Sequence, residues 1–168
     1  MKPETRGTLL ILALSIIWKT LLLLTGWVDG PLGKYPFLPI TAFMLIGMYR
    51  GMEERRKLSY VESIPFKEMF KSGASIAALF AVLYSLFIYY YLFYLDTMFK
   101  VRFAGERIEE FKSKGQNPDN FPFEMPWVLF TFIGTLVLGV FYSGAITRMI
   151  IKRNAMLEKR SAKPSSKS

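Results

Sequence analysis

The sequence predicts an all-α integral membrane protein, a four-helix bundle with both termini in the cytoplasm and a short amphipathic helix between the third and fourth spans. Three observations lead there. Apolar residues make up 52% of the 168 positions, and they fall into four blocks separated by short charged stretches. Each block approaches the roughly 20 apolar residues that a helix needs to cross about 30 Å of hydrocarbon. A water-soluble fold would instead interleave apolar and polar residues at a period of 3.6 or 2.

The first span runs from Thr8 to Val28, after a basic start. That pattern resembles a signal peptide, but the run is too long and no small-residue cleavage pattern closes it. The second span, 32–50, is the weakest, because Pro36 and Pro39 lie in its first half. Proline is tolerated near a helix start, so the helix is expected to begin near Phe37 or earlier with a kink; a re-entrant segment is the alternative. The third span, Ser72 to Leu95, carries no charge, and Ser63 is placed to cap a helix that starts in the interface and runs into it. The fourth, 126–151, opens with Pro126 at a first-turn position and Trp127 at interfacial depth.

Between spans three and four, Met98, Val101, Ala104, Ile108 and Phe111 recur at helical spacing, with Arg102, Arg107, Glu109 and Glu110 elsewhere on the wheel. This predicts an amphipathic helix lying against the membrane or the bundle, with Gly115 as its stop. Residues 1–155 thus read as a single four-span domain, and 156–168 as a basic, disordered tail rich in Lys, Ser and Pro. That tail is either a solvated orientation signal or a contact for anionic lipid.

Charge sets the orientation. Positive residues collect on the cytoplasmic side of short loops. Lys2 and Arg6 lie at the N-terminus, Arg50, Arg55, Arg56, Lys57, Lys67 and Lys71 in the second loop, and Arg148, Lys152, Arg153, Lys159, Arg160, Lys163 and Lys167 at the C-terminal end. The opposite side holds only Lys34 and the five cations of the amphipathic segment. Without the second span, the loop and the tail would both face outward.

The chain has no His and no Cys, which excludes imidazole acid–base catalysis, disulfides, thiol redox chemistry and metals ligated by those residues. No paired carboxylates lie within a span, and Glu53/Glu54 and Glu109/Glu110 are neighbours pointing in different directions on a helix. Neither an enzyme nor a cofactor site is expected. The net charge of +9 is read as a topology signal and not as a nucleic-acid footprint.

Lys19 is the only ionisable residue deep in a confident span, roughly 13 Å from its outer end. An intramembrane charge suggests a functional site unless it snorkels or hydrogen-bonds to Ser, Thr or Tyr. With Tyr84 and Tyr89 it forms the candidate intramembrane polar site, although the later tyrosines also suit an outer aromatic belt. Two ladders of small residues stand at four-residue spacing: Gly73, Ala77, Ala81 and Ser85 in span three, and Thr131, Thr135, Gly139, Ser143 and Thr147 in span four. Such ridges let helices approach closely, either each other or a partner protein. Gly47 and Gly51 give span two a shorter version.

The stretch from Arg50 to Arg153 resembles domain of unknown function 4199, a family of small membrane proteins common in the Bacteroidota. The resemblance rests on the charged loop RGMEERRKLSYVESIPFKEMFKSG, the exit YYYLFYLDTMF and the closing ITRMIIKRN. Where the family often has a Gly-Gly turn before a Ser-Phe-Gly motif, this chain has SYVESIPF. The resemblance implies a bacterial inner membrane and brings no catalytic residues. The leading expectation is a non-enzymatic scaffold or accessory subunit of a membrane complex, bound to lipids and to other subunits or a second copy. The alternative is a small transporter or channel with its polar site around Lys19. A membrane enzyme ranks third.

Overall fold

A computed structural model describes residues 1–30, 37–59 and 65–161. They form five α-helices and no strand. Three helices are long and apolar enough to cross a membrane: α1 (Pro3–Leu24), α3 (Phe66–Tyr90, continued by a π turn over Tyr91–Leu95) and α5 (Glu124–Ser161). The others are α2 (Phe37–Leu58) and α4 (Phe99–Ser113). In α2 the apolar stretch from Phe37 to Tyr49 covers only about 20 Å before Arg50 interrupts it. The proline-rich start of the second span, the Ser63 cap and the tail beyond residue 161 lie outside the described residues.

The predicted boundaries shift for local reasons. The first helix spans Pro3–Leu24 and not 8–28, because Gly26 turns the chain at φ 69° before a single 3-10 turn at Trp27–Asp29. A proline in the first turn suits its start, since the missing N–H would have no helical partner there. The last helix continues to Ser161, past the start of the predicted disorder at 156. At Gly115, φ 73°, the N–H of Gln116 reaches back to the carbonyl of Phe111 and closes α4.

Helices α1, α2, α3 and α5 pack side by side, with the α3–α5 and α1–α2 contacts the most extensive. Helix α3 is central and also meets α1 and α2. Its buried stripe includes Met69, Gly73, Ile76, Ala77, Phe80, Ala81 and Tyr84, at the three- and four-residue steps that keep one face inward. On α2, Met44, Met48 and Met52 are at most 1% exposed, where flexible thioether chains fill the uneven space between helices. Conversely, Ile17, Leu21, Leu86, Val137 and Phe141 point outward, half or more exposed. Apolar faces on both sides of the same helices suit a hydrocarbon surrounding.

Two glycine interlocks set the close approaches. A Cβ on Gly73 would meet Ser143 Oγ at 2.3 Å, and one on Gly139 would meet the Ala77 Cβ at 2.5 Å. A Cβ on Gly7 would meet the Gly47 carbonyl oxygen at 2.9 Å. All nine ladder residues are buried, and Ser143 Oγ donates to the Phe70 carbonyl at 2.8 Å. The two ladders thus face each other across α3 and α5, which leaves neither of them open to a partner.

Candidate functional site

Lys19 sits on the inward face of α1, one of the helices long and apolar enough to cross a membrane. Gly7, Ile11, Ser15 and Lys19 recur every four residues and are all buried, which carries Lys19 into the interior along a small-residue ridge. Lys19 is 6% exposed. Its ammonium lies 5.2 Å from the Tyr91 ring centroid and 5.6 Å from that of Phe99. These are cation–π distances, and such contacts strengthen where water is excluded. The ammonium makes no hydrogen bond or ion pair among the described residues.

The other members come from the exit of α3. Its last turn is a π turn, closed by the Asp96 N–H donating to the Tyr91 carbonyl at 2.9 Å. The extra residue per turn changes the register and swings Asp96 inward. The Asp96 carboxylate, 3% exposed, accepts a hydrogen bond from the Tyr91 hydroxyl at 2.9 Å and an ion pair from Arg102 on α4. Lys19 lies within electrostatic range of both Asp96 and Arg102. The group therefore contains a carboxylate that a count of charges within spans places at the boundary: the π turn brings it into the same layer as Lys19.

Of the three residues singled out in the sequence, the structure brings two into this neighbourhood. Tyr84 is 1% exposed and stacks on Phe80 with centroids 5.1 Å apart, linked through Phe87 to Tyr91. Tyr89 is 41% exposed and packs on Phe93 away from Lys19. Two positions along a helix rotate a side chain about 200°, so Tyr89 and Tyr91 cannot face the same way. Tyr90 and Tyr94 stack outside as an aromatic belt would. Sequence reasoning left Tyr91 with the later tyrosines of the aromatic belt and did not bring Asp96, Phe99 or Arg102 to the site. The available signal was the Gly7–Ile11–Ser15–Lys19 spacing, which points Lys19 inward; the π turn had no visible signature.

Helix α4 lies beside this group and presents Phe99, Ala104, Ile108 and Phe111 inward, while Met98 and Val101 are more than half exposed. Phe99 and Phe103 pack on Trp127 of α5 at 5.1 and 5.3 Å between centroids. The predicted stripe is thus rotated by the leading Phe99, whose burial against Trp127 outweighs that of Val101.

The opposite end is held by ion pairs. Glu53 accepts from Arg56 at 2.7 Å and from Arg153 of α5 at 2.6 Å. Glu54 pairs with Arg6 of α1, and Glu4 of α1 accepts from Ser72 of α3 at 3.0 Å and meets Arg55 of α2 at 3.7 Å. The hydrogen bond from Arg56, assisted by Arg153, holds the Glu53 carboxyl below the usual carboxylate range against the opposing effect of burial. All four long packed helices contribute, and the N-terminal turn of α1 lies at the same end as the basic part of α5.

A family model described as "Protein of unknown function (DUF4199)" matches residues 7–153. No curated protein and no solved structure matches the chain.

Proposed function

The chain belongs to the family of unknown function DUF4199, and from that premise we propose that it is a non-enzymatic scaffold or accessory subunit of a membrane protein complex. In this reading α2 crosses the bilayer with α1, α3 and α5, giving a four-helix bundle with both termini in the cytoplasm of a bacterial inner membrane. The distribution of Lys and Arg supports that orientation. The short apolar stretch of α2 is compatible with crossing, because α1, α3 and α5 flank it and its arginines lie at the ion-paired end.

One observation carries the reading: α1, α2, α3 and α5 are tied into a single body by the Glu4, Glu53 and Glu54 network and by the glycine interlocks. A body built this way suits holding a fixed place in an assembly better than alternating between two arrangements. Extraction of tagged full-length protein in mild detergent, followed by native mass spectrometry, tests it. A stoichiometric membrane-protein partner is expected; a strictly monomeric particle without any partner would overturn it.

A second reading, a small transporter or channel, draws on the buried Lys19 ammonium, which has no acceptor among the described residues. Buried intramembrane cations often mark ion pathways. It requires flux of a small inorganic anion into proteoliposomes that Lys19→Leu abolishes; equal flux in both proteins removes it.

A further inference from the structure

Outside the Lys19 group, two hollows on the surface meet end to end. The larger is an apolar groove of about 650 Å³ between α2 and α5, running from Phe37 and Phe130 at the end nearer Lys19 to Phe141 farther down α5, with Gly134 in its lining. The smaller is a cleft of about 440 Å³ beneath α4, lined by Phe103, Phe123, Trp127 and the exposed Arg107. Both are bounded by Phe130, and the rings of Phe37, Trp127 and Phe130 lie 6.3 to 6.4 Å apart at the junction. Their sizes fall in the range of small-molecule sites.

The chemistry changes along this path. The groove is walled almost wholly by hydrocarbon, whereas the cleft adds a guanidinium and an indole. Arg107 makes no ion pair among the described residues, and its neighbour Glu110 is already engaged by Lys114 at 2.7 Å. A guanidinium presents a planar fork that matches a phosphate, and Trp sits well at headgroup depth. A molecule with a long apolar tail and a phosphate-bearing head fits the sequence of surfaces from Phe141 to Arg107.

We propose that the α2–α5 groove and the α4 cleft together form a binding site for one anionic phospholipid, its acyl chain along Gly134 and its phosphate on Arg107. The inference rests on the membrane-spanning reading of α2 and α5, and it adds a ligand that reading does not supply. A Cβ on Gly134 would have no atom within 4 Å, and the residue lines the groove, so a larger side chain there projects into the groove.

The test uses the full chain in proteoliposomes, with Trp18→Phe and Trp27→Phe leaving Trp127 as the only indole. Brominated phosphatidylglycerol and brominated phosphatidylcholine are titrated as quenchers. The anionic lipid is expected to reach half-maximal quenching at roughly a fivefold lower mole fraction, because the phosphate of phosphatidylcholine is offset by its own choline cation, whereas that of phosphatidylglycerol leaves its negative charge to Arg107. Arg107→Gln should remove that preference, Gly134→Leu should weaken quenching by both lipids, and Lys112→Gln, an exposed cation on the same helix, should leave it intact. Inorganic phosphate in the buffer should not compete. Equal quenching by the two lipids in the parent protein would overturn the site alone, as would a dimer cross-linked through residue 134 that excludes both. Absence of quenching by either lipid would overturn the site together with the bilayer placement of α5.

Discussion

The two ends of the helix assembly solve the same problem, tying separate helices together with charge, in different solvents. At one end Glu53, Arg56 and Arg153 form a network that water can reach, with side-chain exposures of 13%, 30% and 40%. At the other end Asp96 is 3% exposed and is shared by Tyr91 and Arg102, with Lys19 nearby. Exposed pairs contribute little because water competes for both partners. A buried carboxylate has no such fallback: removing it takes the nearby counter-charge from the buried Lys19 ammonium and the acceptor from the Tyr91 hydroxyl. The contrast teaches that the two networks divide the work: the water-accessible pairs set how α1, α2 and α5 are aligned, while the buried carboxylate is expected to carry more of the stability.

The largest expected effect tests that directly. Asp96→Ala should lower the unfolding free energy by about 3–5 kcal/mol, because it removes the buried acceptor shared by Tyr91 and Arg102 and leaves Lys19 without its neighbouring negative charge. Lys19→Met should cost clearly less, since Asp96 keeps its bonds to Tyr91 and Arg102. Titration of the folded protein from mild detergent into SDS measures both. If the two variants are equally destabilised, the end near Lys19 does not depend on the carboxylate as argued.

The glycine interlocks between the two ends give the next effect. Gly73→Ala should cost about 1–3 kcal/mol by overpacking against Ser143. Gly134→Ala should be neutral or stabilising by up to about 1 kcal/mol, since its Cβ meets nothing and alanine favours helix. The same SDS titration distinguishes them, and an equal response would mean that close approach does not hold α3 to α5.

The water-accessible end should show itself through pH. Glu53 has a lowered folded-state pKa, so its contribution is present above the ordinary carboxylate value and is lost as pH falls through the folded value. Wild-type protein should lose stability in the acid range. Glu53→Gln should be slightly less stable at neutral pH and should change less down to pH about 3. Unfolding midpoints at a series of pH values check this; identical acid limbs in the two proteins would assign the loss to other carboxylates. The smallest effect belongs to the exposed Glu110–Lys114 pair, where Glu110→Gln should leave the midpoint unchanged.

Much of the helical plan could be read from the chain because it depends on local quantities. The uncharged run from Ser72 to Leu95 and the proline at 126 mark helices through composition alone. The ladders from Gly73 to Ser85 and from Thr131 to Thr147 mark faces through a four-residue step. The fate of Lys19 was less legible. Its approach to Tyr91 and Phe99 requires knowing which way α1 faces and that α3 ends in a π turn, and an α-helical count puts Asp96 at the boundary of the span.

By itself, then, the sequence determined the all-helical class, the absence of imidazole and thiol chemistry, the apolar runs and the small-residue faces, since each follows from residue type and spacing. Only the tertiary structure decided that the two ladders close on each other, that Tyr89 points away while Tyr91 points in, and that Asp96 joins Lys19. Those outcomes depend on helix rotation and on one extra residue in a turn, and a shift of about 100° per residue decides which side chain meets which.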